Sequence, residues 1–204
     1  MAALELAHPG TGLWSVRNSP ADRVPSHGTT LFATAQAIDL VPVGPDGRTA
    51  PFGLRSLLRP EPAHRFPGFG RTVLAPVAGV VVAAHGSSPD HPAHRGLPSV
   101  GYALTQRRRA AGGWEALAGN HVILRTTGGE FVALCHLRHG SLRVRSGERV
   151  QVGQELGECG NSGNSMEPHV HLQAMTSADA SSAEPVPVVL PSGLPRNGSV
   201  IDAG

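Results

Sequence analysis

Apolar residues in this chain recur at alternate positions or in short unbroken runs, separated by clusters of Gly, Pro, Asn, Asp and Ser; no long segment repeats at helical spacing. Residues 31–43 read as a strand, closed by the strong turn Gly44-Pro45-Asp46-Gly47. Residues 48–70 form an irregular, Pro- and Gly-punctuated insertion. Short strands follow over 72–76 and 79–84, and residues 85–117 read as a second long loop, of the kind that in a compact domain is functional or disordered. Beyond Asn120 the strand signal becomes dense. Residues 121–125 and 131–137 form a hairpin across Gly128-Gly129, and 142–144 and 149–152 flank the turn Ser146-Gly147-Glu148. Residues 154–157 lead into the loop Gly160-Asn161-Ser162-Gly163-Asn164-Ser165, and 168–174 form the last strong strand. The pattern predicts an all-β body over 21–176, a lead-in over 1–20 and a loosely attached tail over 177–204.

Composition narrows the class. Gly (26) and Pro (18) are abundant and aromatics make up 4% of the 204 residues, which suits many short strands joined by turns. The net charge of +2 is too weak to predict a nucleic-acid partner. All 17 basic residues are Arg, and the run Arg107-Arg108-Arg109 reads as a solvated loop. No segment approaches the roughly 20 apolar residues needed to cross a bilayer, and the first ten residues show neither a basic start nor an apolar run typical of a secretory signal. Cys135 and Cys159 are too few for a disulfide framework and are expected as free thiols.

Two groups of residues carry potential chemistry. In His169-Val170-His171 the two imidazoles lie two residues apart, so on a strand they share a face about 6.6 Å apart and can converge on one small site. Asp39 stands in an apolar strand candidate beside Ala33, Ala35 and Ala37, where a carboxylate is costly unless paired or bound to a cation; a bond to a nearby backbone N–H is the simpler alternative. His27 precedes this segment and could fold back beside Asp39. By strict alternation His136 shares a face with Val132 and Leu134, while Cys135 points away as a buried thiol; His136 alone could equally be a core histidine. His8, His64, His85 and His139 read as solvent-facing. His91 and His94 have metal-like spacing but no helix to bring them together, and His121 sits at a strand start.

Several segments resemble, in order and spacing, the lysostaphin-type zinc endopeptidases: His27 with Ala37-Ile38-Asp39, Gly119-Asn120-His121-Val122-Ile123, Cys135-His136-Leu137, residues 150–157, and the Gly160–Ser165 loop ending in Pro168-His169-Val170-His171. The resemblance spans about residues 25–175. It departs from the pattern in the eleven residues between His27 and Asp39, a pair that many members hold closer. It implies a mostly antiparallel β-sandwich of the duplicated hybrid motif type, with long loops (44–70 and 85–117) walling a groove. It further implies one zinc ion per chain held by His27, Asp39 and His171, and catalytic histidines at His136 and His169.

The expected activity is therefore hydrolysis of peptide bonds in peptidoglycan stem peptides, cross-bridges or glycine-rich peptides, by a monomer. The alternative is a non-catalytic domain of the same fold that binds or activates cell-wall hydrolases. A phosphocarrier-like or lipoyl-like module would leave His27 and Asp39 without a role. A cell-wall substrate implies an envelope or extracellular location, whereas the absence of a visible signal leaves the cytoplasm open.

Overall fold

Thirteen strands and three short α-helices are present in the computed structural model, which describes residues 2–51, 53 and 57–204. The strands are β1 (Leu4–Glu5), β2 (Leu13–Arg17), β3 (Ile38–Pro42), β4 (Thr72–Leu74), β5 (Gly79–His85), β6 (Asn120–Thr126), β7 (Phe131–Leu137), β8 (Arg149–Val150), β9 (Glu155–Glu158), β10 (Val170–Met175), β11 (Pro185–Val186), β12 (Val188–Val189) and β13 (Val200–Asp202). The helices are α1 (Leu97–Leu104), α2 (Gln106–Ala110) and α3 (Gly113–Ala118). A nine-stranded antiparallel sheet runs β13-β2-β3-β10-β7-β6-β5-β8, with β11 added to β10. Two small sheets, β4-β9 and β1-β12, stand apart from it. The mostly β architecture is the one the strand-and-turn pattern predicts, and the antiparallel main sheet is what the resemblance implies.

Period-two alternation divides the sheet into two faces. Val170, Leu172 and Ala174 of β10 and Val132 and Leu134 of β7 join one core with Val73 of β4, Leu156 of β9 and Val188 of β12, so the small sheets cover that face. On the other face Ala133, Cys135 and Met175 pack with Ala33, Ala118 and Ile123 in a smaller cluster. This second face carries the polar residues of interest.

The segments that differ from expectation do so for local reasons. Residues 31–36, expected as strand, form a 3-10 segment (Leu31–Gln36) in which Phe32 and Ala33 take φ of 58° and 59°, and β3 begins only at Ile38. The small Ala side chains permit this tight path. Residues 97–118 of the expected 85–117 loop are helical, in three pieces too short for a periodic apolar face to be visible. Of the arginine run, Arg108 is exposed, whereas Arg109 stacks 3.6 Å over the Tyr102 ring. The expected lead-in supplies β2 at the heart of the sheet edge, and the expected tail supplies β11, β12 and β13, paired with β10, β1 and β2. Runs of two or three residues are legible as strands only beside the edges they extend. Positions 52 and 54–56 of the expected 48–70 insertion lie outside the described residues. Cys135 and Cys159 are free and buried, and burial pushes both thiols well above their ordinary range.

Candidate metal centre

Asp39 and His171 face each other directly across the β3-β10 pairing. His27 arrives from a loop that is tied back onto the 3-10 segment: Ser26 N–H donates to the Ala35 carbonyl, and Ser26 Oγ donates to the Thr34 carbonyl. That fold-back closes the eleven-residue gap between His27 and Asp39. His27 Nε2 lies 3.2 Å from both Asp39 oxygens, and His171 Nδ1 lies 2.9 Å from Asp39 Oδ1. One ligand atom from each of His27, Asp39 and His171 falls within 4.8 Å of the others.

Each of these side chains is aimed by a second bond on its far side. Because Ser26 Oγ spends its proton on Thr34, it accepts from His27 Nδ1 at 2.9 Å, which leaves His27 Nε2 as a bare lone pair. Gln173 Nε2 donates to the Phe32 carbonyl at 3.0 Å, turning Oε1 toward His171 Nε2 at 2.9 Å. The neutral His171 ring can therefore keep its proton on Nε2 while Nδ1 faces Asp39. Asn18, at the end of β2 with φ 47°, donates to Asp39 Oδ2 at 2.7 Å. With these second bonds in place, His27 Nε2 and His171 Nδ1 can each turn a lone pair inward beside the Asp39 carboxylate, a donor set suited to a cation. Zinc–ligand bonds of 2.0–2.2 Å would separate ligand atoms by about 3.3 Å, close to the 2.9 and 3.2 Å separations seen here. The three residues fit such an ion.

His136 and His169 complete the cluster, with ring centroids 4.7 Å apart and His136 5.9 Å from His171. The position of His136 corrects the alternation argument. His136 takes φ 64°, and β7 bulges there: Val122 pairs with Leu134 and Asn120 with Leu137, so Cys135 and His136 together oppose His121. The bulge turns His136 onto the same face as Cys135, while Leu137 returns to the larger core. His136 Nδ1 donates to the Ser162 carbonyl at 2.9 Å, and His169 Nδ1 to the Glu167 carbonyl at 2.8 Å. Both rings therefore turn Nε2 toward the groove, His169 Nε2 standing 3.7 Å from Asp39.

The loop supplying Ser162 is held by a close backbone crossing. A Cβ on Gly119 would meet Ser162 and Gly163 at 2.6 Å, and one on Gly163 would meet the Leu117 carbonyl at 2.4 Å, so both positions need glycine. Ser162 Oγ accepts from Asn120 N–H and donates to the Leu137 carbonyl. The Gly-Asn-His and Asn-Ser-Gly motifs are in this way parts of one clamp that sets His136.

Burial disfavours ionisation of Asp39, but the charges of His27 and His169 and the hydrogen bonds of His171 and His27 outweigh it and hold the carboxyl well below its usual range. Burial, reinforced by the charges of His169 and His171, pushes His136 well below the ordinary imidazole range despite Asp39 and the Ser162 carbonyl. Burial lowers His171 too, yet bonding to Asp39 more than restores it, leaving it raised.

A groove of about 1210 Å³ opens over the cluster. Tyr102, Arg109, Trp114 and Leu117 of the helical insertion line it, so the 85–117 segment does wall the groove. Among the described residues, none of the 44–70 segment, expected as the other wall, lines this groove, and 47–51 line a separate cleft with Arg17 and Arg95. The insertion is pinned to the late loop by Arg109 Nε on Asn164 Oδ1 (2.6 Å), by Tyr102 OH on the Gly163 carbonyl and by His91 on the same carbonyl. His94 stacks on the Tyr102 ring, and the His91 ring lies 5.7 Å from that of His94, so the loop brings this pair together without a helix. His121 is buried against Trp114 and stacks with His85. Asn18, Ser26, Ser165 and Gln173 were not distinguishable in sequence; only Gln173, two residues after His171 on the same strand face, carried a usable signal.

Gln173→Leu is expected to weaken metal binding about 10- to 100-fold, the usual cost of removing an outer-shell partner. Gln173→Glu, which keeps an acceptor for His171 Nε2–H, is expected to retain most of the affinity. Competition with a chromophoric chelator measures both.

Residues 106–183 match peptidase family M23. The catalytic domain of the antimicrobial peptidase lysostaphin from Staphylococcus simulans is similar at 19% identity over 77% of this chain and 80% of that one, with a TM-score of 0.42. Of a second lysostaphin structure from the same organism, at 23% identity and TM-score 0.40, the match covers 67% of this chain and 44% of that one. A zinc-containing peptidase from Vibrio cholerae matches at 15% identity over 74% and 48% of the respective chains, with a TM-score of 0.38. Among the described residues, no helix is long and apolar enough to cross a membrane.

Proposed function

We propose, from the similarity of residues 106–183 to peptidase family M23, that this chain is a zinc-dependent endopeptidase cutting peptide bonds in peptidoglycan stems, cross-bridges or glycine-rich peptides. The observation that carries the reading is the inward convergence of His27 Nε2, Asp39 and His171 Nδ1, with two further histidines turning Nε2 toward the same point. His27, Asp39 and His171 are the ligand set. A three-ligand set of this composition is that of catalytic rather than structural zinc, leaving a position for water or substrate.

Zinc in that position supplies a water of pKa near 7 and polarises the scissile carbonyl. The chain's own residues supply the rest. His136 and His169 are the catalytic histidines. Each is fixed through Nδ1–H to a backbone carbonyl and offers Nε2 to the groove, so one takes a proton from the attacking water and passes it to the departing amine. The other, when protonated, donates to the carbonyl oxygen as negative charge develops on it. Ser165 Oγ, 3.0 Å from His169 Nδ1 and bonded to the Glu167 carbonyl, limits rotation of that ring.

The test is metal analysis of the purified protein followed by assay on purified peptidoglycan and on pentaglycine, with and without chelator. About one zinc per chain and chelator-sensitive appearance of new amino termini are expected. Zinc without hydrolysis of any wall peptide would overturn the enzymatic reading in favour of a metal-bearing binding module.

A further inference from the structure

His136 is held by a carbonyl on a loop that has little stiffness of its own. The Gly, Asn and Ser residues of the Gly160–Ser165 loop accept many backbone conformations. Yet Asn161 and Ser162 are fully buried, and the Ser162 carbonyl stands 2.9 Å from His136 Nδ1. What fixes that carbonyl comes from the root of the 85–117 segment. Asp90 Oδ1 accepts from Asn161 N–H at 2.7 Å. His91 grips the same residue twice more: its N–H donates to the Asn161 carbonyl at 3.2 Å, and its own carbonyl accepts from Asn161 Nδ2 at 2.8 Å. The N–H, carbonyl and side chain of Asn161, the residue before Ser162, are thus all set by residues 90 and 91.

The second oxygen of the same carboxylate reaches the chain that carries His136. Asp90 Oδ2 accepts from His139 N–H at 3.0 Å, just beyond the end of β7. The loop and the strand also touch directly, through Gly160 N–H on the His136 carbonyl at 3.0 Å. A Cβ on Gly160 would meet the Arg138 nitrogen and Cα at 2.4 Å and Asp90 Oδ1 at 2.6 Å, so only glycine admits strand exit, loop and carboxylate together. One carboxylate therefore ties the histidine's own chain to the chain of its acceptor. Charge-assisted bonds to two backbone N–H groups from distant segments are well suited to fixing their separation. His136 needs such outside support, since its φ of 64° is one that a non-glycine residue keeps only where its surroundings enforce it.

We propose that Asp90 is a positioning residue for His136. By holding Asn161 N–H and His139 N–H on one carboxylate, it places the Ser162 carbonyl so that His136 keeps its proton on Nδ1 and its Nε2 in the groove. Asp90 lies outside every segment that carries the resemblance to the lysostaphin-type enzymes, and it does not line the groove. The insertion thereby has a task beyond walling the groove: its root sets the geometry of a catalytic histidine. The inference rests on the peptidase reading for what His136 does, but not for how it is held.

The two are therefore measured separately. Nitrogen NMR of isotope-labelled histidines reports the tautomer of each ring, the His136 signals being identified by their loss in His136→Ala. Zinc content, melting temperature, kcat and KM are taken on the same samples. The wild type is expected to show His136 protonated on Nδ1. Asp90→Ala is expected to lose that single tautomer while keeping wild-type zinc content and wild-type His169 signals. Its kcat is expected to fall on the order of 10²-fold, the cost of displacing a catalytic group by about 1 Å, with KM near the wild-type value. Asp90→Asn, whose side-chain oxygen still accepts one of the two N–H groups, is expected to fall between, and it decides the matter if Asp90→Ala does not fold. A lower melting temperature with kcat and the His136 tautomer unchanged makes Asp90 a structural tie only and overturns the proposal. Loss of zinc or of the His169 signals along with kcat means general disorder of the site and overturns it too. If the wild type cleaves no wall peptide, the peptidase reading fails but the tautomers still decide: a change confined to His136 supports the positioning role, and an unchanged tautomer overturns it.

Discussion

Asp39→Ala is expected to leave the purified protein without stoichiometric zinc and without hydrolytic activity, while its strands remain in place. Asp39 is the one group in contact with both outer ligands: His27 Nε2 lies 3.2 Å from its oxygens and His171 Nδ1 2.9 Å. It is also the only anion of the set, so its removal leaves two neutral imidazoles to bind a dication. Structural zinc binding of about 10–16 kcal/mol is shared among a handful of ligands, so losing this one lowers affinity by on the order of a hundredfold or more. The fold is less dependent on it. Ile38 and Leu40, its neighbours on β3, face the larger core and are fully buried, and alanine is compatible with the strand. Metal analysis, and thermal melting of wild type and variant in the presence of chelator, separate the two effects. Similar melting temperatures with zinc lost from the variant alone are expected; full zinc retention would remove Asp39 from the ligand set. His171→Ala is expected to behave in the same way.

How much of this was readable in the chain depends on whether the feature is local. The proximity of His169 and His171 follows from strand periodicity, and the cost of burying an isolated acid makes Asp39 conspicuous in an apolar segment. Both are short-range statements, and the structure brings these residues together. His136 shows the limit. Strict alternation places it with Val132 and Leu134, and only the left-handed step at φ 64° and the bulge opposite His121 bring it to the groove. No neighbour in sequence announces that step; it is enforced from afar by the Ser162 carbonyl and by the Gly119–Gly163 crossing. His27 is similar, since its return to Asp39 runs through a 3-10 segment whose alanines look equally suited to a strand. The helices over 97–118 escape detection because each is too short to show a face and each gains its order by packing on the 160–165 loop. Asn18, Ser26 and Ser165 are common polar residues with meaning only beside their distant or folded-back partners.

His136→Ala and His169→Ala are expected to keep wild-type zinc content and to lose turnover by about 10²–10⁴-fold each, the range for removing a positioned acid–base group. The distances distinguish them from the ligands. His169 Nε2 is 3.7 Å from Asp39, farther than the 2.9 Å of His171 Nδ1, and its other nitrogen is held by a carbonyl and a hydroxyl. His136 faces the same point from the opposite strand neighbour of β10, anchored by Ser162. Because the two rings sit 4.7 Å apart and, on the proposed mechanism, act on one reacting centre, their losses are not expected to be independent. The double variant is therefore expected to be scarcely slower than the worse single one, rather than slower by the product of both factors. Metal content, kcat and KM measured together decide the assignment. Zinc lost from His169→Ala would make His169 a ligand and His171 the catalytic partner. Unchanged kcat in His136→Ala would return His136 to the role of a buried structural histidine, leaving His169 to act alone.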